Sequence, residues 1–292
     1  MRFIKAAVAA RRFLYLGSPL RGDIPVLKVL LDGSKTIIEL PLNADTLPEG
    51  KHSLFWNDRN GHNLVMALPL TSNAVRSFEV LQSFGQKINP GDKVWLSGWN
   101  GQRPEHFGLN AVLDIKLSNN TSAYLQKGGK SWVIHIHGRT ATRAEALRNF
   151  EAIQSLGFSQ IAISHETDKP PLGLGTKRSY LGASEWKQVE IAVRYALDAG
   201  AEKIVLFGFS LGAIFIGEFL RNSVLADRIA GVIFDSPLID FESTLNFQAK
   251  RAGYDSTLGS YGLELIQNSR VFRLLGLHQE AIPSLLRTIN KP

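Results

Sequence analysis

The stretch Lys203-Ile204-Val205-Leu206-Phe207-Gly208-Phe209-Ser210-Leu211-Gly212-Ala213 reads as strand, tight turn and helix, with a serine at the bend. Ile204 to Phe207 is an apolar, β-prone run suited to a buried parallel strand. Ala213-Ile214-Phe215-Ile216-Gly217-Glu218-Phe219-Leu220-Arg221 suits a helix packed on the sheet. Between them stands Gly-x-Ser-x-Gly. A nucleophile on such a turn holds a strained backbone, and Gly208 and Gly212, lacking Cβ atoms, let strand and helix approach. Ser210 Oγ then projects from the sheet edge, and Leu211 N–H, an unpaired donor at a helix N-terminus, points at an oxyanion beside it. The five residues alone are weak evidence and fit a merely tight strand-to-helix turn. The strand before them and the helix after them favour a nucleophile.

Working outward, strands and helices alternate: helix Thr142 to Leu156, strand Gln160 to Ser164, helix Ser184 to Ala199, strand Lys203 to Phe207, helix Leu211 to Arg221 and strand Ile229 to Asp235. That alternation predicts an α/β fold, a parallel sheet with helices on both faces. Upstream, Ala111 to Leu117 and Ser122 to Gln126 form a hairpin turned by Asn119-Asn120-Thr121, and Trp132 to His137 is a strand ending at Gly138. Ligands of such sheets gather at the carboxyl ends of strands, where Gly138, His165, Ser210 and Asp235 fall.

Residues 1 to about 105 read as a small β-rich module, and 106–292 as the α/β core. Asp32-Gly33 turns a hairpin between Val26 to Leu31 and Thr36 to Leu40. Ser53 to Trp56 and Leu64 to Leu68 flank a second turn, Val94 to Ser97 is a further strand, and Ala74 to Phe84 is ambiguous. Trp56, Trp95 and Trp99 are either packing residues or substrate contacts. Gly98 to Pro104 reads as the boundary.

Composition bounds the function. The chain has 292 residues, 44% hydrophobic and 20% charged, as in an ordinary globular protein. The lack of cysteine excludes disulfides, thiolate metal sites and cysteine catalysis, and leaves the compartment open. A net charge of +7 is spread without basic runs or aromatic interleaving, which argues against a nucleic-acid partner. Met1 to Phe13 suggests a basic amphipathic helix, too interrupted for a signal peptide, and no apolar stretch is long enough for an integral membrane span. A cytoplasmic protein is expected, with export or peripheral membrane contact left open. Gly173-Leu174-Gly175-Thr176-Lys177 lacks full phosphate-loop spacing and reads as a loop over the crevice.

From about residue 106 the chain resembles the α/β-hydrolase superfamily, especially bacterial serine hydrolases of the serine aminopeptidase and acyl-esterase branches. The resemblance rests on Trp132-Val133-Ile134-His135-Ile136-His137-Gly138-Arg139, the Glu185-Trp186 helix entry, Gly208-Phe209-Ser210-Leu211-Gly212 and Asp235-Ser236-Pro237. It implies Ser210 as nucleophile, Leu211 N–H and Arg139 N–H as oxyanion donors with Gly138 giving the turn room, a small-molecule or peptide acyl substrate, and no metal or organic cofactor.

The chain departs from the family where the acid and histidine should follow. After Asp235 no further strand leads to an acidic loop, and residues 240–290 read as helices, Phe241 to Arg251, Leu263 to Leu275 and Gln279 to Thr288. Three readings follow. In the first, the chain is C-terminally incomplete and the acid and histidine lie beyond residue 292. In the second, Asp235 is the acid and His165 or His278 the base. In the third, the fold binds a ligand or partner without catalysis. The plainer roles are a crevice cap for Asp235, a solvated or pocket-lining loop residue for His165, a surface helix residue for His278, and core or loop-anchoring imidazoles for His135 and His137.

Overall fold

In the computed structural model, which describes residues 2–14, 22–57, 59–98, 101–168, 178–251 and 253–285, the chain divides into two units. One is Ser18–Gly101; the other joins Met1–Gly17 to Gln102–Pro292. Trp99, part of the expected boundary loop, and Gly173 to Lys177 lie outside the described residues.

The N-terminal helix α1 (Arg2–Leu14) therefore belongs with the larger unit and not with the β-rich module. Ala6, Ala10, Phe13 and Leu14, at helical spacing, form its buried stripe.

The smaller unit is one antiparallel sheet of β1 (Ile24–Pro25), β2 (Lys28–Asp32), β3 (Lys35–Pro41), β4 (Lys51–Trp56), β5 (Gly61–Ala67), β6 (Val75–Gly85) and β7 (Lys93–Gly98), in the order β1-β7-β4-β5-β6-β3-β2. The β2–β3 hairpin turns at Gly33, whose φ of +60° a side chain would resist. The ambiguous stretch is strand β6, which pairs with β3 and β5. Ile38, Leu40, Leu54, Val65, Phe78 and Val94 form the core, and Trp56 is buried among them. Trp95 stacks on Phe55 at 5.6 Å.

In the larger unit the sheet comprises β8 (Leu113–Lys116), β9 (Ser122–Gln126), β10 (Ser131–Ile136), β11 (Ser159–Ile163), β12 (Lys203–Phe209) and β13 (Ile229–Asp235). Its order is β13-β12-β10-β11-β9-β8. Pairs β13–β12, β12–β10 and β10–β11 are parallel; β11–β9 and β9–β8 are antiparallel. The sheet is thus mixed, not parallel throughout, because a tight turn such as the one joining β8 to β9 can only reverse the chain. The helices are α2 (Phe150–Ser155), α3 (Trp186–Asp198), α4 (Gly212–Asn222), α5 (Phe241–Arg251), α6 (Leu258–Asn268) and α7 (Arg270–Leu274).

The single helix expected over Thr142 to Leu156 is a 3₁₀ turn, Arg143–Asn149, followed by α2. Arg143 is buried, gives Asp114 two 2.7 Å bonds and lies over the Tyr124 ring, so its tertiary anchor overrides helical propensity. Leu263 to Leu275 breaks into α6 and α7 at Ser269, whose Oγ caps α7 by accepting from Phe272 N–H. No helix forms over residues 279–285, where Gln279 Nε2 instead donates to Tyr180 C=O and Leu285 N–H to Ile239 C=O. Among the described residues no helix is long and apolar enough to cross a membrane.

Candidate active site at the β12–α4 turn

The carboxyl ends of β10 and β12 are neighbours, and the strand order reverses there, β11 lying on one side of β10 and β12 on the other while all three run parallel, which is where an α/β sheet opens a crevice. β12 ends at Phe209 and α4 begins at Gly212. Ser210, half-buried between them, has φ +48°, a left-handed conformation that costs a side-chain-bearing residue about 1–3 kcal/mol. Three bonds hold it there. Ser210 N–H donates to Asp235 C=O at 3.0 Å, and Ser210 C=O accepts from Leu238 N–H at 3.0 Å and Ala213 N–H at 3.2 Å.

The two glycines are set by close approach. A Cβ on Gly208 would come within 2.8 Å of Ile216 Cδ1 and 2.9 Å of Ala213 N, and one on Gly212 would collide with Ile136 C=O. Leu211 is buried, and among the described residues neither its N–H nor Ser210 Oγ has a hydrogen-bond partner.

The loop after β10 packs on this turn. A Cβ on Gly138 would lie 3.1 Å from both Phe209 O and Ser210 Cβ. Gly138 N–H donates to Glu145 Oε2 at 2.9 Å, so its amide is occupied by a carboxylate. Arg139 turns its side chain to α1, where Nη2 donates to Phe13 C=O at 3.3 Å and the guanidinium lies 5.6 Å from the Phe13 ring.

Asp235 reaches Ser210 through its carbonyl, not its carboxylate. The carboxylate accepts from Arg148 Nη2 at 3.2 Å and from Ser236 Oγ at 3.0 Å. His278 lies after α7, with Nδ1 3.0 Å from Ile266 C=O and Nε2 3.2 Å from Arg273; it sits half-buried and outside any helix, unlike the surface helix position expected of it. His165 is buried and not solvated, because it belongs to a closed trio. None of Asp235, His165 and His278 brings a side-chain hydrogen bond to Ser210.

The trio is His137, His165 and Asp168. His137 Nε2 lies 3.0 Å from Asp168 Oδ2, and Nδ1 lies 2.9 Å from Gly138 C=O. Both neighbours can only accept when Asp168 is ionised, so His137 carries protons on both nitrogens. Burial opposes that charge, but the Asp168 carboxylate and the Gly138 carbonyl outweigh it and raise the His137 pKa. Burial alone would push Asp168 up; the two histidines and their hydrogen bonds bring it down to about 2.

His165 Nδ1 faces Thr167 Oγ1 at 2.6 Å and Nε2 faces His137 Nδ1 at 3.2 Å, with the rings stacked 3.8 Å apart. Burial and the His137 charge lower its pKa to about 3, so it is neutral. These three are the one group among the described residues whose ligand atoms lie close enough to hold a metal ion. Stacked rings aim their lone pairs along near-parallel planes and not at one point, and the nitrogens are already engaged, so the arrangement suits a held proton better than a metal.

Glu145 and Asp168 were missed by sequence reasoning. A His165-x-x-Asp168 spacing after a strand was a usable signal for the latter; nothing local marks Glu145.

No protein-family model matches the chain, and no curated protein matches it in sequence. Solved structures that resemble it include esterases and α/β-hydrolase-fold proteins. An esterase from Pyrococcus furiosus is 20% identical, with 66% of this chain and 71% of that chain covered at a TM-score of 0.45. An esterase from Exiguobacterium antarcticum is 14% identical over 60% of this chain and 70% of that one, at 0.36. A thermophilic esterase from Thermogutta terrifontis is 18% identical over 49% and 54%, at 0.35.

Proposed function

We propose that this chain is a hydrolase of the α/β-hydrolase fold that cleaves an ester, thioester or amide carbonyl through an acyl intermediate on Ser210. The observation that carries this reading is the left-handed Ser210 at the β12–α4 turn, where among the described residues neither Oγ nor the adjoining Leu211 N–H has a hydrogen-bond partner. A base takes the Oγ proton as Oγ attacks the carbonyl carbon. Leu211 N–H and Arg139 N–H receive the oxyanion, the leaving group departs with the proton, and water releases the acid. No step requires a metal or organic cofactor.

The base and its acid come from outside the described residues. Support comes from the outer strand: among the described residues β13 pairs with β12 alone and leaves Val232 and Ile233 exposed, as a strand does when a further strand is to be added. The β-rich unit, residues 1–105 as read from sequence and Ser18–Gly101 by its contacts, is a module separate from the α/β core of 106–292.

A second reading, a ligand-binding or interaction protein without catalysis, is favoured by one observation: among the described residues no histidine is hydrogen-bonded to Ser210 Oγ. Labelling by a fluorophosphonate and turnover of a short-chain aryl ester separate the two. The product of the native reading frame is expected to label at Ser210 and to lose both properties in Ser210→Ala. Absence of labelling and turnover, with Ser210→Ala unchanged in every property, establishes the binding reading. Residues 1–292 alone are expected to turn over poorly; robust Ser210-dependent turnover by them would assign the acid and base to Asp235 and a histidine of this chain.

A further inference from the structure

Helix α1 is amphipathic in an unusual sense. Its buried stripe uses two small residues, Ala6 and Ala10, beside Phe13 and Leu14, while two large aliphatics point outward: Ile4 is 67% exposed and Val8 49%. At 100° per residue they sit opposite the buried stripe, with exposed Lys5 and Arg11 on either flank. A helix that needed only to cover a core would bury Ile4 and Val8 and expose the alanines.

The first turn of α1 meets α7 through Phe3, whose ring stands edge-on to Phe272 with centroids 5.7 Å apart. The α7 segment has the same character. Phe272 is buried, while Val271, Leu274 and Leu275 are 47%, 88% and 55% exposed, and Arg270 and Arg273 stand out beside them. Lys5 lies 5.4 Å from the ring of Tyr254, itself exposed, a pairing of cation and amphipathic ring suited to a water–lipid boundary. Neither Arg2–Leu14 nor the run Asn268–His278 contains an acidic residue.

We infer that the outward faces of α1 and α7 form a docking surface for an anionic lipid bilayer. Exposed aliphatics flanked by cations, on two segments that carry no acid of their own, match the physics of a helix lying in the membrane interface, where apolar burial and attraction to anionic headgroups add. The same charge pattern disfavours a second copy of the chain as occupant, since a two-fold contact would set this cationic face against itself. Binding requires no catalytic role for Ser210.

The test is co-sedimentation of the protein with vesicles of phosphatidylcholine alone and of phosphatidylcholine with about a quarter phosphatidylglycerol. Binding is expected to the anionic vesicles, to weaken in molar salt, and to fall about thirtyfold in Lys5→Gln plus Arg11→Gln, roughly fivefold per cation. Ile4→Asp plus Leu274→Asp should abolish it, whereas Leu156→Asp, an equally exposed apolar site elsewhere on the unit, should leave it unchanged. All five sites are at the surface, and the unfolding midpoint of each variant verifies folding. Equal binding to both vesicle types, binding to neither, an equal loss in Leu156→Asp, or a dimer in sedimentation equilibrium that Ile4→Asp plus Leu274→Asp dissolves would each overturn the assignment.

Discussion

Asp168→Asn keeps the shape of the buried trio and removes its one negative charge. Asp168 Oδ2 takes His137 Nε2–H at 3.0 Å and His165 N–H at 3.3 Å, and His137, His165 and Asp168 are all buried, so little water screens the pair. Removing one partner of a buried ion pair costs about 3–5 kcal/mol when the other charge remains. Here His137 can shed its proton and asparagine can donate to the bared Nε2, which places the expected cost at the lower end, about 3 kcal/mol. Its pH dependence follows from both groups. His137, raised above 6.5, contributes stability that is fully present below 6.5 and is lost as pH rises through its folded value. Asp168, lowered to about 2, contributes stability present above 3.8 and lost as pH falls through its folded value. The gap between wild type and variant is therefore widest between those limits and narrows in alkali. Urea unfolding followed by tryptophan fluorescence at mildly acidic and alkaline pH measures the gap, and the ring resonances of His137 report its charge. A cost below about 1 kcal/mol at both pH values, with those resonances unchanged by the substitution, would refute the buried imidazolium.

Other outcomes follow from the same geometry. Ser210→Gly removes the cost of φ +48° and should raise stability by about 1 kcal/mol in urea while abolishing fluorophosphonate labelling; a loss of stability would remove the case for strain. Gly138→Ala drives a Cβ to 3.1 Å from Phe209 O and Ser210 Cβ, and should cost about 1–3 kcal/mol and slow labelling at least about tenfold. His135, walled by the Phe150, Phe207 and Phe209 rings, has its pKa lowered to about 4 by burial, against which the bond to Gln160 works. The unfolded chain then binds the extra proton below 6.5, so His135 contributes a fall in stability of roughly 3 kcal/mol from pH 6.5 to 4, on top of the fall of the same sign from His165, and His135→Phe should remove that share of the slope in acid titrations.

The strands of the larger unit were legible because their apolar runs are short and bounded by turn residues; Ile229 to Asp235 is β13 to the residue. The serine turn was legible for a local reason, since glycines at 208 and 212 answer contacts made within a few residues and with the adjoining strand. What stayed hidden is what depends on distant partners. Nothing in Arg143 to Asn149 announces a 3₁₀ turn, because the cause is Asp114, in strand β8. The alanine-lined stripe of α1 fits helices from the far end of the chain, through Phe3 on Phe272 and Phe13 on Phe241, so its membership in the larger unit could not be read from its neighbours. His137 and His135 alternate onto one face of β10 and its extension, yet one is charged and the other neutral, a difference made by Asp168 thirty-one positions away.

Ser210 is fastened to the sheet's outer strand rather than to its own helix alone. Its amide proton is given to Asp235 at the end of β13, and its carbonyl is taken by Leu238 just beyond. Deuterium uptake at this one amide thus becomes a clock for the release of β13: it can exchange only when the outer strand lets go. Anything that clamps that strand, including another strand laid along its open side, would slow the exchange of the serine without touching it, and loosening the strand would let the left-handed turn relax. The outermost edge of the sheet thereby governs how long the serine stays poised.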